Sequence, residues 1–211
     1  MSQSLSIDAV MTLAPVIPVL VIDEVGQAAA LAEALVAGGI CALEVTLRTP
    51  AALEAIAEMA SVAGAVVGAG TVLNGVQLDA AMKAGARFIV SPGLTAGLAS
   101  AAAAAGAPLL PGVQTAADIM RGLDLGLERF KFFPAETSGG VAALKALTGP
   151  FGGVRFCPTG GITPETAPHY LALPQVACVG GSWLAPRDAV AAGAWARITA
   201  LARAASELKG M

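Results

Sequence analysis

Lys131 stands in the run Arg129-Phe130-Lys131-Phe132-Phe133-Pro134, an ammonium group set among aromatic residues in a stretch that otherwise reads as core. An apolar setting favours the neutral amine over the ammonium. That amine is a nucleophile: it condenses with a ketone to an imine, whose protonated form draws electrons from the adjacent carbon–carbon bond. The plainer reading is a lysine that runs its methylene stem out to a solvated rim. The other lysines, Lys83, Lys145 and Lys209, fall in stretches that read as helix, so Lys131 alone is placed for this chemistry.

A second polar set lies in Leu43-Glu44-Val45-Thr46-Leu47-Arg48. A side-chain period of two puts Glu44, Thr46 and Arg48 on one face and the three aliphatic residues on the other. An isolated Glu and Arg at a strand end pair with each other and do little else. Beside Lys131 they acquire roles: the carboxylate to move protons, the guanidinium to hold an anionic group. Two glycine pairs follow later apolar runs, in Thr159-Gly160-Gly161-Ile162-Thr163 and Gly180-Gly181-Ser182. Glycine lets backbone amides approach a phosphate closely, although one such pair alone is more often a plain turn. Gly68-Ala69-Gly70-Thr71 and Ser91-Pro92-Gly93-Leu94 read either as turn punctuation after strands or as pocket wall.

The elements that position these groups are short apolar runs at 16–22, 40–47, 65–69, 88–91, 108–110, 129–133, 154–157 and 176–179, eight strand candidates in all. Helical stretches lie between them, at 27–37, 51–60, 77–84, 116–123, 141–147 and 164–171, several ending at a glycine such as Gly38, Gly85 or Gly106. A last helix covers 188–208. Alternation of strand and helix implies parallel pairing through right-handed crossovers. Eight repeats predict a closed α/β (β/α)8 barrel, with an open flavodoxin-like sheet as the alternative that leaves strands over. Reactive groups in such a barrel sit where strands run into the following loops. No linker or composition break divides the chain, so residues 1–211 are expected to form a single barrel domain.

The composition excludes several other functions. With 56% hydrophobic and 13% charged residues and a formal net charge of -3, no broad basic surface for nucleic acid is present. The stretch from Arg87 to Asp118 carries no charge, but prolines, glycines and an alanine run break it up as a membrane span. Residues 1–12 have no Lys or Arg and no long apolar core, so a secretory leader is not expected. Cys41, Cys157 and Cys178 are odd in number and sit in apolar runs, predicting buried free thiols and a cytoplasmic setting. The single histidine, His169, has no partner at ligand spacing, so neither a metal nor another cofactor is expected.

Taken together, Glu44-Val45-Thr46-Leu47-Arg48-Thr49, Gly68-Ala69-Gly70-Thr71-Val72-Leu73, Ser91-Pro92-Gly93-Leu94, Lys131-Phe132-Phe133-Pro134-Ala135-Glu136, Phe156-Cys157-Pro158-Thr159-Gly160-Gly161-Ile162 and Gly180-Gly181-Ser182-Trp183-Leu184 resemble the 2-keto-3-deoxy-6-phosphogluconate (KDPG) and 4-hydroxy-2-oxoglutarate (KHG) aldolase family nearly end to end. The resemblance implies a cytoplasmic homotrimer of (β/α)8 barrels in the Entner-Doudoroff pathway. It implies cleavage of KDPG to pyruvate and glyceraldehyde 3-phosphate, and action on KHG as well. It implies Lys131 as the Schiff-base lysine and Glu44 as the proton-transferring group. Arg48, Thr71 and Pro92 are implied at the pyruvyl end, Gly160, Gly161, Gly180, Gly181 and Ser182 at the phosphate, and Phe133 and Thr159 among the substrate contacts. One departure, Gly112-Val113-Gln114-Thr115-Ala116-Ala117-Asp118, bears on fine substrate preference. The similar aldolase for phosphorylated 2-keto-3-deoxygalactonate differs at the Glu44–Arg48 motif and stands second. A phosphate-binding barrel without lyase activity, isomerase or synthase, is the reading from another class, followed by a non-catalytic metabolite-binding barrel.

Overall fold

The computed structural model describes residues 5–208, so Lys209 and the first four residues of the leader reading lie outside it. Among the described residues nine strands are interspersed with helices, two of the strands following one another directly across Pro111, and every pairing is parallel. The strands are β1 (Val16–Leu20), β2 (Ala42–Thr46), β3 (Val66–Gly70), β4 (Phe88–Val90), β5 (Leu109–Leu110), β6 (Gly112–Val113), β7 (Arg129–Phe132), β8 (Arg155–Pro158) and β9 (Val179–Gly181). The helices are α1 (Ile7–Met11), α2 (Ala28–Ala37), α3 (Ala52–Ala60), α4 (Gly75–Lys83), α5 (Ala96–Ala105), α6 (Ala116–Asp124), α7 (Gly140–Thr148), α8 (Ala167–Leu171), α9 (Arg187–Ala191) and α10 (Trp195–Ser206).

Six strands form a curled sheet in the order β5-β4-β3-β2-β1-β9, and three more run β6-β7-β8. The predicted run at 108–110 is β5, and β6 is an additional strand beyond Pro111, which has no N–H to continue the ladder. Its carbonyl still accepts from Lys131 N at 2.9 Å, so β5 pairs with β4 while β6, directly after the proline, pairs with β7. On the opposite side only isolated bridges, Phe156 to Val176 and Thr159 to Gly180, join the two sheets. The last predicted run is shifted as well. It begins as a strand at Val179 and carries Gly180 and Gly181 inside β9, where the sequence reading had them in a loop.

The helices start and stop where side chains satisfy the exposed backbone groups. Asn74, Thr95 and Thr115 accept from the N–H three residues on, and Thr115 with Asp118 closes a capping box. Gly106 ends the alanine-rich α5 in a left-handed conformation. The predicted 188–208 helix is broken in two at Gly193, whose φ of 62° no helix accommodates. The segment predicted at 164–171 is helical only from Ala167, because Thr163 and Thr166 cap each other in a turn before it. Among the described residues no helix is long and apolar enough to cross a membrane.

Two apolar clusters result. The larger lies between the sheets and the helices; the smaller is inside the curl, where Ile17, Phe88, Val90, Leu110, Cys157 and Cys178 meet Val10 and Met11. Those last two belong to α1, a helix with no counterpart among the sequence-predicted elements. It packs under the N-terminal ends of the strands, tied there by Arg129, which donates to both carboxylate oxygens of Asp8. All three cysteines are free, as expected, but Cys41 is only partly buried.

Candidate active site

The pleat of β2 carries Glu44 inward, and the neighbouring strand β3 leaves room for it. A Cβ built on Gly70 would stand 2.2 Å from Glu44 Oε1, and one on Gly68 would stand 2.4 Å from the Phe88 ring. These glycines lie within β3, not after it: their job is to admit a carboxylate and an aromatic ring into the interior, the use that outweighs glycine's cost in a strand.

Lys131 enters the same interior from β7. It is 5% exposed and Glu44 3%, and its Nζ donates to Glu44 Oε1 at 3.2 Å. The Phe133 ring stands 5.3 Å from the ammonium. Burial this deep costs both groups their hydration, and their 3.2 Å contact offsets part of that cost.

Above the pair, at the C-terminal ends of the strands, opens a cavity of about 600 Å³. Lys131, Arg48 and Phe133 line one side; Thr159, Gly160 and Gly161 line another, with Gly180, Gly181 and Ser182 beside them. Gly160 and Gly161 both have left-handed backbones, φ 108° and 79°. Gly180 is glycine because Thr159 Oγ1 would lie 2.2 Å from its Cβ. Gly181 lies under the Trp183 ring, 1.9 Å from where a Cβ would be.

Glu44, Thr71 and Pro92 do not line the cavity. Glu44 reaches it only through Lys131. Thr71 accepts from Arg48 Nε at 3.3 Å, and it alone among the described non-glycine residues has a positive φ, 58°. For a β-branched residue this is strained backbone, which persists where neighbours over-determine it. Arg48 itself lies in the turn beyond β2 and is exposed, not in the strand with Glu44. Pro92 is exposed, and its carbonyl packs on Gly112, 2.1 Å from that residue's absent Cβ. Gln114, the departure noted above, follows β6 and donates to Ser138 at 2.9 Å. His169 is exposed on α8.

Sequence reasoning passed over Trp183, Val19 and Val21 as cavity residues. Trp183 had a signal, an aromatic residue directly after a Gly-Gly-Ser turn; Val19 and Val21 had only the period of β1. A hollow of about 330 Å³, lined by Asp23, Glu24 and Arg187 among others, lies beside β1 and contains neither Lys131 nor Glu44.

Residues 7–201 match the family model "Aldolase: KDPG and KHG aldolase". The chain therefore belongs to the KDPG and KHG aldolase family. It is 54% identical to the KHG/KDPG aldolase of Escherichia coli K12, over 96% of this chain and 95% of that one. The crystal structure of the Zymomonas mobilis ZM4 2-keto-3-deoxy-6-phosphogluconate aldolase with 3-phosphoglycerate superposes with a TM-score of 0.92, at 61% identity and 96% coverage of both chains. A Legionella pneumophila KDPG aldolase, holding pyruvate as a covalent carbinolamine intermediate, also gives a TM-score of 0.92, at 48% identity over 95% of this chain and 98% of that one.

Proposed function

We propose that the protein is a class I aldolase that cleaves 2-dehydro-3-deoxy-6-phosphogluconate to pyruvate and glyceraldehyde 3-phosphate, and that it also acts on 4-hydroxy-2-oxoglutarate. The observation that carries this reading is the buried Lys131–Glu44 pair at the base of a cavity rimmed by glycine loops. Membership of the family and the carbinolamine seen in a relative support it.

In this reading Lys131 passes a proton to Glu44, the free amine adds to the C2 ketone, and the carbinolamine loses water to give an iminium. The C3–C4 bond breaks with its electron pair passing to the iminium nitrogen, while the C4 hydroxyl gives up its proton and becomes the aldehyde. The enamine is then protonated at C3, and water releases pyruvate and the free amine. Lys131 is covalently engaged through the middle steps, so another group must move these protons. Glu44, 3.2 Å from Nζ, is that group. Arg48 holds the substrate carboxylate, oriented by Thr71 through its bond to Nε, and Pro92 belongs to the same pyruvyl end by the family resemblance. Phe133 and Thr159 flank the carbon chain. The amides of Gly160, Gly161, Gly180 and Gly181, with Ser182, take the phosphate.

The two sheets and their bridges are read as one (β/α)8 barrel and the chain as a single domain. It works in the cytoplasm as a homotrimer, to which the exposed Leu73, Val76 and Met120 offer apolar surface. Light scattering reports the trimer directly. For the chemistry, pyruvate followed by borohydride should leave a reduced adduct on Lys131, located by peptide mass spectrometry. Adduct on Lys83, Lys145 or Lys209, or none at all, overturns the assignment.

A further inference from the structure

Behind the cavity two residues that do not line it are joined. Tyr170, on α8, is fully buried, and its hydroxyl donates to Glu136 Oε1 at 2.7 Å. Glu136 lies three residues beyond Phe133, on the exposed turn that follows β7. Its N–H donates to the Gly160 carbonyl at 3.0 Å, extending the β7–β8 pairing into the loop. Its Cβ and Cγ lie 2.9 Å from where a Cβ on Gly161 would stand. The stem of Glu136 thus rests on the glycine loop, and its carboxylate is held beyond that loop by a phenol from the core. Burial first, and the bond to Glu136 second, push the Tyr170 hydroxyl well above its ordinary range, so it remains a donor.

The geometry points to Tyr170 and Glu136 as positioning residues for the phosphate end of the substrate: the buried phenol keeps the Glu136 carboxylate turned away from the Gly160–Gly161 loop. This rests on the reading above that the loop takes the phosphate. An untethered carboxylate on this turn is free to rotate over Gly161, where it repels a dianion bound at the same amides. Gly161 admits the Glu136 stem only because it has no side chain, so tether and loop are one packed unit.

The test compares Tyr170→Phe with the unaltered enzyme on phosphorylated KDPG and unphosphorylated KHG. KM for KDPG rises about tenfold, the scale of a lost hydrogen bond to a charged group, while KM for KHG stays within about twofold. Adding Glu136→Gln to Tyr170→Phe removes the charge and restores most of the KM for KDPG; a merely structural role is not repaired by neutralising a carboxylate. Equal KM increases for both substrates, or no recovery in the double variant, overturn the proposal. If Tyr170→Phe folds poorly, Glu136→Asp makes the same break from the exposed side. Its shorter carboxylate no longer reaches the phenol, so it too raises KM for KDPG alone. Borohydride trapping of pyruvate accompanies each variant. Loss of trapping in the unaltered protein strikes the aldolase reading, while intact trapping without a phosphate-specific effect strikes this one.

Discussion

Gly70 and Glu44 share one space: a Cβ on Gly70 would stand 2.2 Å from Glu44 Oε1 and 2.6 Å from its Cγ. The atoms in the way include Cγ of a buried, ion-paired side chain, so Gly70→Ala should fold with a lowered melting temperature. The carboxylate must swing off Lys131 to make room. Turnover should therefore fall by about tenfold or more, the scale of a misplaced reacting group. Normal turnover in folded Gly70→Ala would mean that the observed Lys131–Glu44 contact is dispensable.

Glu44→Gln keeps an acceptor for the Lys131 ammonium but cannot carry a proton between steps. Pyruvate should still be trapped on Lys131 by borohydride, while steady-state cleavage drops on the order of 100-fold, the usual loss for a general acid–base group. Near-normal cleavage would move the proton relay to water or to another side chain.

At the opposite end of the strands, Arg129 donates to both oxygens of Asp8. That bond, opposed by burial and aided by the charges of Arg129 and Arg155, holds the Asp8 carboxyl below the ordinary 3.8. A depressed folded-state pKa stabilises above the unfolded value, and the gain is lost as pH falls through the folded one, so the window lies below about pH 3.8. Asp8 is half-exposed, which limits the contribution to under about 1 kcal/mol. Asp8→Asn should lower the urea midpoint slightly at pH 7 and flatten the acid limb of the stability profile. An unchanged acid limb would show that the pair contributes nothing in solution.

In the proposed mechanism the imine places the electron sink on Lys131 nitrogen, a task that a divalent metal performs in the other aldolase class. Among the described residues no three His, Cys, Asp or Glu side chains gather at ligand distance. Cleavage should proceed at the same rate after prolonged dialysis against EDTA. Activity lost to the chelator and recovered with zinc would replace the imine mechanism with a metal one.

Much of this protein was legible from short-range pattern. Alternating apolar runs and helices follow from local periodicity, which is why the parallel α/β order, and Lys131 between aromatic residues, could be read directly. Local period failed where one residue changed the geometry: the short strand beyond Pro111, in the other sheet, went unread, and Gly193 divided a helix. Glycine proved ambiguous for the same reason. Gly68 and Gly70 read as turn punctuation or pocket wall and Gly180 and Gly181 as a phosphate loop, but all four are strand residues whose missing side chains admit Phe88, Glu44, Thr159 and Trp183.

By itself the sequence determined which chemistry was present: one strand lysine, one inward carboxylate and two glycine pairs at strand ends. Only the tertiary structure decided which groups meet. Lys131 and Glu44 are 87 residues apart, and the curl of the sheet brings their strands to face each other across the interior. The Tyr170–Glu136 tie and the α1 plug have the same origin. Period assigns a side chain to a face, but register and curvature of the assembled sheet choose what that face sees.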